Sequence, residues 1–316
     1  MLTAFLTTLG EMTRLLLFMV LGFGLNRLHI LPKGSGAGLS KLITMVAIPA
    51  LLIYSNVTEF QMADIGQYSR IVLLGALLWF VCMLISLPIA KKMAGGNRPD
   101  QNVYLYGLSF SNTGAVGMAL SLALLGTTGL FQYNLFIVIF NIMAYGWGVG
   151  LFLNTGRENR IKSFFIHLLN PIFISMVIGM ILGSLNAKEW MPSLVMNFAG
   201  DLGGLYAPLS LLLTGYTIAD YPVTQMFRVP KSYLYTLLRL ILYPLLVLLL
   251  VKLVGGDLLM ATLAVIAFSG PCAMNVVVFP ASYGQDCKTG TSLVMISSLG
   301  SILTIPLLYA LVQIFF

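Results

Sequence analysis

The residues of this chain best suited to binding chemistry are uncharged and fall in two clusters. One reads Phe110-Ser111-Asn112-Thr113-Gly114, the other Phe268-Ser269-Gly270-Pro271-Cys272-Ala273-Met274-Asn275. Each sits inside a long apolar segment, and each is built from residues that weaken helices. Where a helix is interrupted, the amides just beyond the break lose their partners, and the positive end of a helix dipole stands behind them. Such an end attracts anions. Two breaks facing one another would offer N–H groups from about Thr113 to Ala115 and from Cys272 to Met274. The side chains of Ser111, Asn112, Thr113, Ser269 and Asn275 would add donors. An organic anion, above all a carboxylate, suits this arrangement, because neutralising it there needs no buried lysine. Small and weakly polar residues also let membrane helices pack closely. For Gly114, Gly117 and Gly126 both readings stand, whereas the Gly146/Gly150 pair reads as packing.

The elements that must position these clusters are duplicated. Leu108 to Gly126 and Ile266 to Gly284 have equal length, carry Phe-Ser at their third and fourth places, and end on glycine. Asn112 and Gly270 are 158 positions apart, and Pro49 and Pro208 are 159 apart, so the register holds across half the chain. Paired interruptions in corresponding halves point to a transporter binding site.

Composition places these halves in a membrane. Apolar residues make up 59% of the chain, charged residues 9%, and the mean hydropathy is +0.95. A soluble domain carries roughly a quarter charged residues. A spanning helix needs about 20 apolar residues, since every backbone polar group must be satisfied without water. Ten spans are read: Thr8–Leu28, Gly38–Asn56, Tyr68–Ala90, Val103–Leu125, Leu130–Leu153, Ser163–Leu185, Pro192–Ala219, Lys231–Val254, Leu258–Tyr283 and Thr289–Phe315. The first is kept as a helix rather than a signal peptide, because Glu11 and Arg14 spoil a basic leading region and no small-residue cleavage site follows. With five spans per copy, the second copy enters from the opposite side, and the repeats are inverted. Residues 1–153 form the first repeat, 154–162 a cytoplasmic hinge, and 163–316 the second repeat.

Basic residues give the orientation, because cytoplasmic loops retain them. Twelve of the Lys and Arg residues lie in or beside odd-numbered loops, and only Arg70, Lys188 and Lys252 in even-numbered ones. Both termini therefore face outward from the cytoplasmic membrane. The net charge of +7 is a topology signal. It forms no continuous stripe for nucleic acid.

Ionisable residues within spans are functional hypotheses by default. Arg239 lies well inside span eight and reads either as an anchor to a carbonyl freed by a break or as a counter-ion near the substrate path. Asp201 in span seven is placed to pair with a cation or take up a proton, so sodium or proton coupling is open. Glu11 and Arg14 read as a local salt bridge. No Asp, Glu or His stands at the expected crossing, which argues against a sodium/proton antiporter. His29 and His167 read as interfacial, and neither a catalytic triad nor metal-ligand spacing is present. An enzyme is excluded on that ground and no cofactor is expected; an ion channel or a non-transporting receptor remains the alternative. Cys82, Cys272 and Cys287 predict no disulfide, and Cys272 is expected to be shielded from thiol reagents by substrate.

The chain resembles the auxin efflux carrier family, which includes plant auxin exporters and bacterial permeases for malate and related acids. The resemblance runs through Leu21-Gly-Phe-Gly-Leu-Asn-Arg-Leu-His-Ile-Leu-Pro32, Ile48-Pro-Ala-Leu-Leu52, Asn112-Thr-Gly-Ala-Val-Gly117, the Pro271 region with Tyr283-Gly284, and Leu303-Thr-Ile-Pro-Leu307. It implies ten helices in a five-plus-five inverted repeat, with a scaffold and a transport bundle, helices four and nine crossing at midplane, and an elevator motion. By the same resemblance Asn141 faces substrate, with Tyr145 one turn on; an Asn there also serves to bond a neighbouring helix. Ser111 stands where plant members carry proline, and Val276 where they carry a second one. The bacterial branch is suggested by compact length and a short central loop.

The expectation is thus a carrier of small organic anions whose site comprises Ser111, Asn112, Thr113, Gly114, Asn141, Ser269, Gly270, Pro271, Cys272 and Asn275. Asp201 and Arg239 are charge or coupling candidates. Membrane lipids surround the protein, and a homodimer is a candidate assembly.

Overall fold

The computed structural model describes residues 2–32, 34–152, 171–222, 224 and 227–316. The regular elements among them are helices. The first half contributes α1 (Leu2–Arg27), α2 (Ser35–Leu42), α3 (Ile48–Glu59), α4 (Ile65–Ala94), α5 (Arg98–Ser109), α6 (Ala119–Phe136) and α7 (Val138–Met143). The second contributes α8 (Pro171–Ser184), α9 (Ala187–Trp190), α10 (Ser193–Gly204), α11 (Tyr206–Ile218), α12 (Pro230–Leu237), α13 (Tyr243–Leu253), α14 (Leu258–Phe268), α15 (Asn275–Ser282) and α16 (Lys288–Phe315). The hinge expected at 154–162 and the first part of the sixth expected span lie outside the described residues.

Among the described residues, six stretches are long and apolar enough to cross a membrane: Phe5–Arg27, Ser35–Glu59, Met62–Ala94, Thr113–Phe136, Pro230–Leu253 and Lys288–Phe315. Val138–Gly148, Pro171–Ser184 and Leu258–Phe268 are shorter apolar helices. Gly126, at φ 69° and ψ −164°, breaks α6. Its remainder therefore belongs to the fifth expected span, which starts a few residues earlier than the sequence suggested.

Wide, π-type turns interrupt the helical runs at Ile43–Ala47, Thr113–Met118, Ala144–Gly148 and Leu238–Leu242. Two have a local cause. Pro49 and Pro244 have no N–H to give the carbonyls four residues back, at Met45 and Leu240, and both of those residues lie in such a turn.

Helix packing follows residue size. A Cβ on Gly22 would stand 1.9 Å from the Leu212 carbonyl oxygen, and one on Gly215 would stand 1.8 Å from that of Met19. Only glycine lets α1 and α11 touch backbone to backbone, the mode of association that works where lipid removes the hydrophobic drive. At the centre runs α14, apolar all round, with every residue from Ala261 to Phe268 buried. A helix of that kind belongs in an interior. Leu73, Leu77, Phe80, Leu84, Leu245 and Leu249 are exposed instead, on the outer faces of α4 and α13. These are lipid-facing positions.

Candidate substrate site

The two interruptions meet. Helix α5 stops at Ser109, Phe110 is extended (φ −130°, ψ 120°), and the chain turns helical again at Thr113. Helix α14 stops at Phe268 and α15 starts at Asn275. Between them Ser111 and Cys272 form an antiparallel bridge. The Asn112 amide, which an unbroken helix would give to Leu108, donates to the Pro271 carbonyl at 2.8 Å. The Ser111 hydroxyl donates to the Ala267 carbonyl, and the Cys272 amide to the Ser297 hydroxyl at 2.9 Å.

The carbonyls that the first break frees are taken by two side chains one turn apart on the Pro230–Leu253 run. Tyr235 donates its hydroxyl to the Gly107 carbonyl at 2.7 Å, and Arg239 Nη1 donates to the Leu108 carbonyl at 3.0 Å. A cation there also faces the negative end of the α5 dipole. Arg239 is fully buried, and its guanidinium lies 5.9 Å from the centre of the Tyr243 ring. On the amide side, Asn112 Oδ1 accepts from the Ala115 N–H at 3.2 Å, a cap on the resumed helix. Tyr133 donates to the Thr113 carbonyl at 3.2 Å and presses so near that a Cβ on Gly117 would stand 1.9 Å from its hydroxyl oxygen.

A cavity of about 200 Å³ opens against this junction. Its floor is Ser111 to Ala115 from one break and Ala273 to Asn275 from the other; Asn134, Asn141, Tyr145 and Tyr206 stand in its walls. No Asp, Glu, Lys, Arg or His lines it among the described residues. The amides of Ala273 and Met274 have no hydrogen-bond acceptor among the described residues. Because Oδ1 of Asn112 is occupied by capping, its amide NH2 is the end left for the cavity. Asn275 instead donates to the Tyr106 hydroxyl at 2.8 Å. Three of the four wide turns contribute to the lining, through Ile43 and Thr44, Thr113 to Ala115 with Met118, and Ala144 with Tyr145. The cavity is smaller than the roughly 300–1,000 Å³ usual for drug-sized ligands, which sets an upper limit on the ligand.

The family model described as membrane transport protein matches residues 7–309. The chain belongs to that family. It is a multi-pass membrane protein and a secondary transporter, not an enzyme. No curated protein matches it.

Within this transporter the expected site residues separate into two groups. Ser111, Asn112, Thr113, Gly114, Asn141 and Asn275 line the cavity. Ser269, Gly270, Pro271 and Cys272 do not, because Ser111 from the opposite break lies over them: a Cβ on Gly270 would stand 3.3 Å from that of Ser111. Ser269 is fully buried and returns its hydroxyl to the Val265 carbonyl. Cys272 is fully buried as well, which corrects the expectation that substrate shields it from thiol reagents; protein already does. Of the amides expected to point at the ligand, those of Thr113, Ala115 and Cys272 bond within the protein.

The two charged candidates also lie elsewhere. Arg239 does not line the cavity, and the contact it makes is the one to a freed carbonyl. Asp201 is exposed in a separate pocket with Ser55 and Thr127, and therefore cannot share an ion with Asn112. The Arg14–Glu11 salt bridge forms at 2.6 Å.

Several polar lining residues escaped sequence reasoning, Asn134, Tyr206, Ser210 and Thr214 among them. Asn134 is buried, and its amide nitrogen has no partner. It precedes Asn141 by seven residues, two helical turns, and counting back along that face would have found it. A larger space of about 670 Å³, lined by Asn26, His29, Tyr216 and Asp220, shares Ser40 and Leu213 with the central cavity. It leads to the end of α1 that carries Arg27.

Proposed function

We propose that this transporter moves small organic anions, carboxylates such as malate or an auxin-like acid, across the cytoplasmic membrane. The observation that carries the reading is a cavity at the meeting of two helix breaks, lined by no charged residue among those described, with the open amides of Ala273 and Met274 on its floor. A carboxylate there accepts those N–H groups and the amide nitrogens of Asn112, Asn134 and Asn141. Helix dipoles behind Thr113 and Asn275 add positive potential. The apolar wall, with Phe140, Met176 and Leu213 among its residues, takes the remainder of a small acid.

The reading includes ten spans in two inverted repeats, residues 1–153 and 163–316, joined by a hinge at 154–162, with both termini outside. Substrate moves by alternating access of the elevator type, with helices four and nine carrying the site. Ser40 and Leu213 line both the central cavity and the space near Arg27. No residue lines both the central cavity and the pocket around Asp201. Affinity with the malate-permease branch belongs to the same proposal.

Counterflow in proteoliposomes tests it. Vesicles loaded with unlabelled malate should accumulate labelled malate transiently and with saturation. Flux that never saturates would contradict a carrier mechanism, and no flux with any carboxylate would mean that the substrate belongs to another class.

A further inference from the structure

A pocket of about 300 Å³ lies between α3, α6 and α10, apart from the central cavity. Five of its lining residues carry a side-chain oxygen: Asp201 and Asn197 on α10, Tyr54 and Ser55 on α3, and Thr127 on α6. Asp201 is the only ionisable residue of α10. It stands eight residues beyond Ser193, roughly 12 Å along the helix at 1.5 Å per residue. No basic group pairs with it among the described residues. A carboxylate inside an apolar helix calls for a compensating charge.

Ser55 gives an independent sign of what compensates it. Its side chain is fully buried, its Oγ has no hydrogen-bond partner, and it lines the same pocket. Thr58, one turn on, returns its hydroxyl to the Tyr54 carbonyl in the usual way; Ser55 does not. Thr127 gives its proton to Glu59 Oε1 at 2.9 Å, which leaves oxygen lone pairs for the pocket. Glu59 does not line the pocket, and its second oxygen accepts the Thr128 hydroxyl at 2.7 Å. The set therefore offers one negative charge and several neutral oxygens. Divalent cations are normally held by more carboxylates than that.

We propose that this pocket binds a monovalent alkali cation, sodium, through Asp201, Ser55, Thr127 and Asn197. The neutral oxygens replace part of the ion's hydration, and the Asp201 carboxylate balances its charge. Coupling of that ion to substrate movement rests on the carrier reading above; binding of the ion does not.

The test uses purified full-length protein in detergent with no organic acid present. Unfolding temperature is compared in sodium, potassium and choline chloride at one pH and ionic strength, and binding of radioactive sodium is measured directly. Sodium should raise the unfolding temperature above that in choline, and Asp201→Asn should abolish both the rise and the binding. Ser55→Ala should weaken sodium binding about tenfold, the effect of losing one modest ligand. Both variants should match wild type in choline, which certifies their folding. Sodium binding that survives Asp201→Asn, or equal unfolding temperatures in all three salts, would overturn the proposal. So would stability that follows pH and ignores the cation. Failure here leaves the anion-carrier reading intact, whereas failure of counterflow with every carboxylate removes that reading and leaves the sodium site.

Discussion

Matching sequences produce the two interruptions, yet the chain finishes them differently. The first spans Phe110 to Asn112 and is braced on both sides, by Tyr235 and Arg239 at its carbonyls and by Asn112 at its amides. The second spans Ser269 to Met274; the Ser111 hydroxyl takes its Ala267 carbonyl and Ser297 its Cys272 amide, while the amides of Ala273 and Met274 stay open. Residue type explains the contrast. Asn112 has a side chain that caps its own helix; at the second break Gly270 has no side chain and Pro271 no N–H. The first break consequently presents side chains to the cavity, and the second presents bare backbone. Anion binding draws on both kinds of donor, free side-chain amide chiefly from the first break and open backbone amides from the second.

The largest effect that would expose this asymmetry belongs to Asn112→Ala. Transport should be abolished while the protein remains folded and inserted, because the lost cap costs only about 1 kcal/mol. Ser269→Ala, at the matching place in the other break, should leave uptake close to wild type. Equal losses from the two substitutions would mean that the breaks are equivalent after all.

A middle-sized effect is expected in stability. Arg239→Ala strands the buried Leu108 carbonyl and should cost about 1–3 kcal/mol, seen as a lower unfolding temperature. Ser297→Ala strands the buried Cys272 amide and should cost about 1 kcal/mol, the low end of that range, because no cation facing a helix dipole is lost with it. A larger drop for Ser297→Ala would reverse the assignment of the braced break.

The smallest effect is one of access. Native Cys272 should resist a small thiol reagent with or without substrate, whereas Asn275→Cys, three positions on and lining the cavity, should react and be protected by a transported acid. Ready labelling of Cys272 in the folded protein would show that the second break is more open than its burial implies.

How much of this was legible in the sequence depends on whether a feature is local. Both interruptions could be read, because Asn112, Gly270 and Pro271 weaken a helix wherever they stand. The partner of Arg239 could be anticipated as well, since a break frees carbonyls and a buried cation seeks them. What could not be read was which break would cover the other. Symmetry of sequence suggested equal exposure, and so Ser269, Gly270, Pro271 and Cys272 were assigned to the cavity. The bridge between Ser111 and Cys272 puts them behind it. The surroundings of Asp201 were hidden for a similar reason: depth along a helix is local, but the direction in which a side chain faces is set by the neighbours, here α3 and α6.

The most direct test of the central claim, that one ligand touches both breaks, is a calorimetric titration of a transported carboxylate into wild type, Asn112→Ala and Ala273→Pro. The last of these removes a single open amide from the second break. Each substitution alone should weaken binding by about tenfold or more, the loss of one hydrogen bond to a charged group. Undiminished affinity in either variant, with folding intact, would mean that the anion rests on one break only or somewhere else.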